Sequence, residues 1–216
     1  MTERKPKRRT RERVVETALR MFNDFGEPNV TTTTISDEMN ISPGNLYYHF
    51  RNKDEIVGEI FAAYEREIDA LLVVPAERPA NVEDVWLFLH VLFETIWKYR
   101  FFYRDLADML VRNRMLEIHF KRILEQKIRT MRAFCDSLAE AGEMSREDYD
   151  REALATNMMV VATYWLSFAF VRNPRNFAAA DVVAGGAYHV MALFAPYLQG
   201  DARILFERLA SEYRST

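Results

Sequence analysis

The chain has 216 residues, 49% of them hydrophobic and 28% charged, with a formal net charge of −3. This length and balance suit one large or two small globular domains with a real core, and they exclude a disordered polyelectrolyte and a protein that binds polyanions through overall charge. A single cysteine, Cys135, excludes an intramolecular disulfide and fits a reducing, cytoplasmic setting.

The charge is unevenly placed. Arg4, Lys5, Lys7, Arg8, Arg9, Arg11 and Arg13 put seven basic residues in the first thirteen, opposed only by Glu3 and Glu12. A mildly acidic protein with a basic arm is built to touch nucleic acid at one place; a solvated tail is the ordinary alternative. No apolar run follows the arm, so it does not read as a secretory signal.

Strand signals are nearly absent and helical periodicity runs throughout, which predicts an all-α fold of about nine or ten helices. The first helix spans about Thr10 to Phe25, with Val15, Ala18, Leu19, Phe22 and Phe25 on one apolar face and Gly26 as its stop. After a polar loop, a short second helix covers Thr32 to Met39, with Ile35 and Met39 inward. Asn40-Ile41-Ser42 forms a turn. Ser42 is a good N-cap, and Pro43 stands where a first-turn proline is welcome. A third short helix then runs from Pro43 to about Phe50, with Leu46 and Phe50 inward. Asn52 caps a long fourth helix, with Glu55 at the reciprocal capping position, and this helix reaches about Leu72. The break at Val74–Pro79 marks a transition, and the domains are read as 1–60 and 61–216.

The second region reads as helices at about Val82–Tyr99, Phe102–Asn113, Met115–Ala141, Arg146–Arg172, Ala180–Leu198 and Ala202–Tyr213. The helix from Val82 is apolar apart from one polar stripe, Glu83, His90, Glu94 and Lys98, so neighbours must surround it. Ala153 to Val171 carries no charge, at the lower edge of a membrane span; its Thr156, Asn157, Thr163 and Ser167 favour a helix buried on all sides, and no membrane partner is expected.

Three short helices, the last two joined by a tight turn, match a helix-turn-helix whose third helix enters the DNA major groove. Gly44 and Tyr48 lie about 200° from Leu46 around that helix, flanked by Asn45, Tyr47 and His49. This outer face has hydrogen-bonding groups and no acid, which suits a polyanion. The competing assignments are core aromatics for Tyr47 and Tyr48, and an ordinary surface histidine for His49.

The run TTTTISDEMNISPGNLYYHFRNKDEI, residues 31–56, resembles the DNA-binding signature of the TetR (tetracycline-repressor-like) family of bacterial regulators, with NLYYHFRNKDEI as its strongest part. The resemblance covers roughly Thr10 to Ile60, and it implies an N-terminal three-helix domain joined by a long fourth helix to a helical effector-binding and dimerisation domain. It places Thr32 and Thr33 against phosphates or a base edge, and Ser42, Pro43, Gly44 and Asn45 at the major groove. Asn45 would pair with an adenine edge and Tyr48 would meet a thymine methyl. Tyr47 and His49 would clamp phosphates, and Lys53 would reach one from a helix N-terminus. Arg8 and Arg9, within the arm Arg4–Arg9, would track the backbone or a minor groove. Asn40 replaces the family's usual glycine but suits a left-handed turn.

Between Val82 and Phe120 lie nine aromatics, Trp86, Phe88, Phe93, Trp97, Tyr99, Phe101, Phe102, Tyr103 and Phe120. A well-filled core and an apolar cavity both account for them. The resemblance implies a small-molecule effector there, apolar or amphipathic, with Trp86, Phe93, Trp97, Tyr103, Met109, His119, Ile123, Met158 and Trp165 as candidate lining. The segment YRFFYRDL also resembles a subgroup of the family. Its Arg100, Arg104 and Asp105 suit either a ligand head group or a local salt-bridge cluster. The helices containing Met158–Phe170 and Gly185–Phe194 are the expected homodimer face, represented by Ala155, Ala162, Phe170, Gly185, Gly186, Tyr188 and Phe194. Ordinary intrachain packing is the alternative for them. A two-fold dimer suits a palindromic operator on double-stranded DNA, with the recognition helices ~34 Å apart. The resemblance implies a repressor, with an activator as the alternative.

An enzyme is not expected. The sequence has no phosphate-binding glycine loop, its four histidines are scattered, and no cofactor or metal is implied. His90 and Glu94 are one turn apart, which on a polar stripe reads as a solvated pair.

Overall fold

The computed structural model describes residues 5–74, 77–145, 150–175 and 177–214. Its helices are α1 Lys5–Phe25, α2 Thr32–Glu38, α3 Pro43–His49, α4 Lys53–Leu71, α5 Val82–Lys98, α6 Arg100–Arg104, α7 Leu106–Arg112, α8 Arg114–Glu140, α9 Arg151–Arg172, α10 Ala179–Phe194 and α11 Gly200–Arg214. Short 3-10 turns at Glu27–Asn29 and Ala195–Tyr197 carry Pro28 and Pro196. Among the described residues the extended pairing is a single antiparallel bridge, Met144 to Leu198. The helix expected over Phe102–Asn113 is two, separated at Asp105, and α6 already begins at Arg100. The helix expected from Arg146 is described from Arg151, since 146–149 lie outside the described residues.

The chain forms two compact units, residues 1–66 with 99–117, and residues 67–98 with 118–216. A single division after residue 60 therefore does not describe the packing: 61–66 and 99–117 join the N-terminal unit. The reason is visible in the side chains of YRFFYRDL. Phe101 packs on Phe22 with ring centroids 5.3 Å apart, and Phe102 meets Phe61 edge-on at 5.3 Å. The hydroxyls of Tyr64 and Tyr103 lie 2.6 Å apart in the core, where burial pushes the Tyr103 pKa up. Arg104 donates to the last-turn carbonyls of α1, at 2.9 Å to Phe22 O, which also accepts from Gly26 N, and at 3.3 Å to Asn23 O. Arg100 pairs with Asp24 at 2.9 Å. The arginines thus form a local cluster capping α1, the simpler of the two alternatives.

In this first unit α1 buries Val14, Ala18, Met21 and Phe22, one position round from the expected face, and leaves Val15 and Leu19 half-buried. Phe25 has the right phase yet is 60% exposed. Ile35, Met39, Leu46 and Phe50 are buried as the periodicity requires, together with Ile56, Ile60 and Tyr64 of α4.

One carboxylate ties the unit together. Glu27 is 1% exposed, and its two oxygens take Lys53 Nζ at 2.8 Å and Arg112 Nη2 at 2.8 Å. Burial raises the pKa of Glu27, but hydrogen bonds and attraction from Lys53 and Arg112 outweigh that and hold it below the usual carboxylate value.

In the second unit α10 packs against both α5 and α9. Gly186 is required at that crossing: a Cβ there would stand 2.4 Å from the ring of Phe93. α9 is long and apolar enough to cross a membrane by length and composition. It is not buried on all sides. Leu154, Met158, Ala162 and Leu166 face inward, while Val160, Tyr164, Phe168 and Val171 are exposed. α8 lays an inner stripe of Phe120, Ile123, Lys127, Thr130 and Phe134 into the core. Burial pushes the Lys127 ammonium down from 10.5 to about 7, and the Cys135 thiol up to about 12, which leaves that cysteine inert.

Two consequences are measurable. Glu27→Gln withdraws the charge that Lys53 and Arg112 share, so it should lower stability by ~2 kcal/mol or more, read as a lower urea midpoint at constant slope. For Lys127, the folded-state pKa lies below the unfolded value. The unfolded chain therefore binds the extra proton between about pH 7 and 10.5, and stability rises with pH across that window. Lys127→Met should flatten this rise; a variant with the wild-type slope would contradict it.

Candidate nucleic-acid interface

The second and third helices are held at defined ends by their own side chains. Thr31 caps α2: its Oγ1 accepts from Thr34 N at 3.1 Å, and Thr34 Oγ1 accepts from Thr31 N at 2.9 Å. This is a reciprocal capping box with threonine in the place of the usual Glu. Asn40 takes φ 53°, the left-handed value expected for the turn. Ile41 N then donates to Ser36 O at 3.0 Å, which closes the turn against α2. Ser42 Oγ accepts from Asn45 N at 3.2 Å, and Pro43 occupies the first turn of α3.

The outer face of α3 is what these ends present. Gly44, Asn45, Tyr47 and Tyr48 are exposed, with Tyr47 at 51% and Tyr48 at 66%, and Pro43 stands beside them. Neither tyrosine is a core aromatic, whereas Phe50 is. The Tyr47 hydroxyl lies 3.0 Å from Thr32 Oγ1, so the two outer faces meet at one hydrogen bond; Thr33 is exposed next to it. A Cβ on Gly44 would meet nothing closer than Ser42 Oγ at 4.0 Å. Packing within the chain therefore does not account for this glycine, and its effect is to keep the face low. His49 is half-buried, with its ring 5.3 Å from that of Tyr48. α3 itself carries no acidic side chain.

Lys53 departs from expectation. Its ammonium donates to the carbonyls of Glu27 (3.0 Å) and Val30 (3.1 Å) and pairs with the Glu27 carboxylate. An ammonium has three protons, and all three are engaged inside the unit, so Lys53 is an internal tie and not a phosphate contact. Glu55 departs in a smaller way. Asn52 Oδ1 accepts from Glu55 N at 2.9 Å as expected, but the Glu55 carboxylate reaches back to Arg51 N. In the basic arm Arg9 is exposed at the start of α1, while Arg4 and the Arg8 side chain lie outside the described residues.

The residues expected to line an effector cavity do not fall in one unit. Tyr103 and Met109 belong to the first, and Trp86, Phe93, Trp97, His119, Ile123, Met158 and Trp165 to the second. Tyr103 fills the core, with its hydroxyl taken by Tyr64. Met109 borders a pocket of about 140 Å³ with Glu27, Asp54, Val57, Arg112, Asn113 and Leu116. Phe93, Ile123 and Met158 are buried, and Trp165 Nε1 donates to Val182 O at 2.8 Å while its ring packs on His189. Trp97 borders an open groove of about 410 Å³ with His90, Glu94 and Val183, and Trp86 stacks on His90. His119 is half-buried.

Of the expected dimer residues, Ala155, Ala162, Gly186 and Phe194 are buried within the second unit, so intrachain packing claims them. Gly185 lies against Trp165, and Tyr188 is half-exposed. Phe170 is exposed. Val160, Tyr164, Phe168 and Val171, none of them named among the expected dimer residues, are exposed and repeat at helical spacing along the open side of α9. Period alone gives no phase on a helix that is apolar all round.

Comparison with known proteins agrees with this architecture. A family model described as bacterial regulatory proteins of the tetR family matches residues 14–60, and one described as a bacterial transcriptional repressor, TetR, matches residues 63–206. The crystal structure of a TetR-family transcriptional regulator from Marinobacter aquaeolei is 35% identical, covers 94% of this chain and 98% of its own, and superposes with a TM-score of 0.86. CprB from S. coelicolor, at 16% identity and a TM-score of 0.68 over 97% of this chain and 98% of its own, shares the fold. The HTH-type transcriptional regulator AcrR of Shigella flexneri is 29% identical over 94 residues, so the match spans 42% of this chain and less than half, 44%, of that relative. The match of both family models, placed in sequence as the two helical regions are, shows that the chain belongs to the TetR family of bacterial transcriptional regulators.

Proposed function

We propose that the chain is a cytoplasmic, homodimeric repressor that reads a palindromic operator with α3 and releases it when an apolar or amphipathic effector binds the second helical region. The observation that carries the reading is the outer face of α3. An exposed Asn, two exposed tyrosines and a glycine without an internal reason stand on one helix face free of acids, with both helix ends fixed. Asn45 suits the N6 and N7 edge of adenine, and Tyr48 suits a thymine methyl. Gly44 lets the backbone approach the groove, and Thr32, Thr33, Tyr47 and His49 are the phosphate-side partners. Arg9 is the described cation of the arm that faces solvent. The family is regulatory and DNA-binding, and nothing in the site calls for catalysis.

The dimer face we assign is the stripe Val160, Tyr164, Phe168 and Val171 of α9, beside the half-exposed Ala184, Tyr188 and Ala192 of α10. A contiguous exposed apolar stripe on a folded domain marks an interaction surface, and a two-fold copy of it makes a closed isologous pair. The effector reading rests on the aromatic content of α5 and on Trp86 and Trp97, which stay half-exposed beside His90 and Glu94. A ligand that shifts α4, the helix following the DNA-reading helices, would weaken DNA binding by ~1–3 kcal/mol.

The direct test is selection of bound duplexes from random-sequence DNA at two salt concentrations. A short palindrome should be enriched; retention of DNA with no shared sequence would remove the sequence-reading role. On the selected duplex, Asn45→Ala and Tyr48→Ala should each cost ~1–3 kcal/mol and relax preference at the base pairs they face, with binding to scrambled DNA little changed. Tyr164→Asp with Phe168→Asp should turn a dimer into a monomer in sedimentation and abolish operator binding. A dimer that persists would contradict the assigned face.

A further inference from the structure

One basic residue next to the arm is not spent on solvent. Arg11 lies on α1, two residues beyond Arg9. Its Nη1 donates to the carbonyl of His49, the last residue of α3, at 2.5 Å. Its Nε donates to Glu59 Oε1 on α4 at 3.3 Å, and Nη2 pairs with the other oxygen of the same carboxylate. The guanidinium carbon sits 4.1 Å from the centre of the Phe50 ring. One side chain therefore joins three helices at the end of α3. It satisfies a terminal helix carbonyl, sets a cation at the negative pole of the helix, and lies over the buried ring that ends it.

We infer that Arg11 is a positioning residue for sequence recognition: it fixes the angle and register of α3 from behind, through His49, Phe50 and Glu59, and does not itself contact DNA. The inference rests on α3 being the base-reading helix. Ser42 and Asn45 hold the front end of that helix by local hydrogen bonds, but those bonds do not tie it to another helix. Leu46 and Phe50 bury its underside, and apolar burial is tolerant of small rotations. The Arg11 fork is directional, so it selects among those rotations. Lysine keeps the charge but not the fork.

The test uses the full chain with the duplex it selects from random sequence and a scrambled duplex of equal length, across a salt series, with thermal melting as a folding control. Arg11→Lys should bind the selected duplex about tenfold more weakly, since a charge-assisted fork to carbonyl and carboxylate is lost. Binding to the scrambled duplex and the salt slope should stay at wild-type values. Glu59→Gln removes a negative charge, which by charge alone favours DNA; here it should weaken specific binding in the same way. Arg11→Gln should leave the salt slope unchanged as well. If Arg11→Gln lowers that slope by about one and weakens both duplexes equally, Arg11 is a phosphate contact and the inference is wrong. It is equally wrong if both charge-preserving and charge-removing variants keep wild-type specific affinity, whatever their melting temperatures. A wild-type protein that selects no shared sequence removes the base-reading role of α3 and this inference with it, whereas selection with unaffected variants removes this inference alone.

Discussion

A carboxylate can remain charged inside a protein only if its partners replace the water it has lost, and Glu27 has two such partners from distant parts of the chain. It sits in the turn between α1 and α2, Lys53 opens α4, and Arg112 ends α7. Loss of either cation would leave one Glu27 oxygen without its ion partner, so the turn between α1 and α2 is bound both to α4 and to the segment 99–117. The two carbonyls that Lys53 also holds, Glu27 and Val30, flank the same turn. Much else follows from this point. The N-terminal unit includes 99–117 because Glu27 and the α1 terminus hold it there, and α2 begins where Val30 is fixed.

With that turn fixed, the proposed recognition depends on how α3 is presented. Its underside is apolar and buried, its front end is capped by Ser42, and its rear end is tied by Arg11. Specific DNA readout needs side chains held to within fractions of an ångström, while phosphate attraction does not. The division of labour among the basic residues reflects this. Arg9 is open to solvent, whereas Arg11, Arg100, Arg104, Arg112 and Lys53 hold protein groups. Residues that look alike in a charge count thus do different things: one faces solvent, and the others hold helices together.

How much of this was legible in the sequence depends on range. Local devices were: the Ser42 cap, the left-handed Asn40, the inward Ile35, Leu46 and Phe50, and the outward Tyr48 all follow from spacing within a few residues. Long-range partners were not. Nothing near Lys53 in sequence reveals that Glu27 lies within 2.8 Å, so a phosphate role was the natural expectation. The break of α6 from α7 at Asp105 lies in a helical run with no proline or glycine to announce it. α9 is apolar on every side, so its period could not say which residues face α10 and which face outward. That is why Ala155 and Ala162, which are buried, were expected on the open side, while the exposed Tyr164 and Phe168 were not named. Small residues mark close approach between helices, but not whether the neighbouring helix belongs to the same chain.

The central claim is that the outer face of α3 lies against base edges in the major groove, and photocrosslinking tests it most directly. A benzophenone amino acid placed at position 48 on the full chain, irradiated with the duplex the protein selects, should crosslink to bases inside the two half-sites, while the same probe at position 25, on the exposed end of α1, should not. Crosslinks from position 25 but not from position 48, or crosslinks from position 48 scattered along the duplex, would contradict the account.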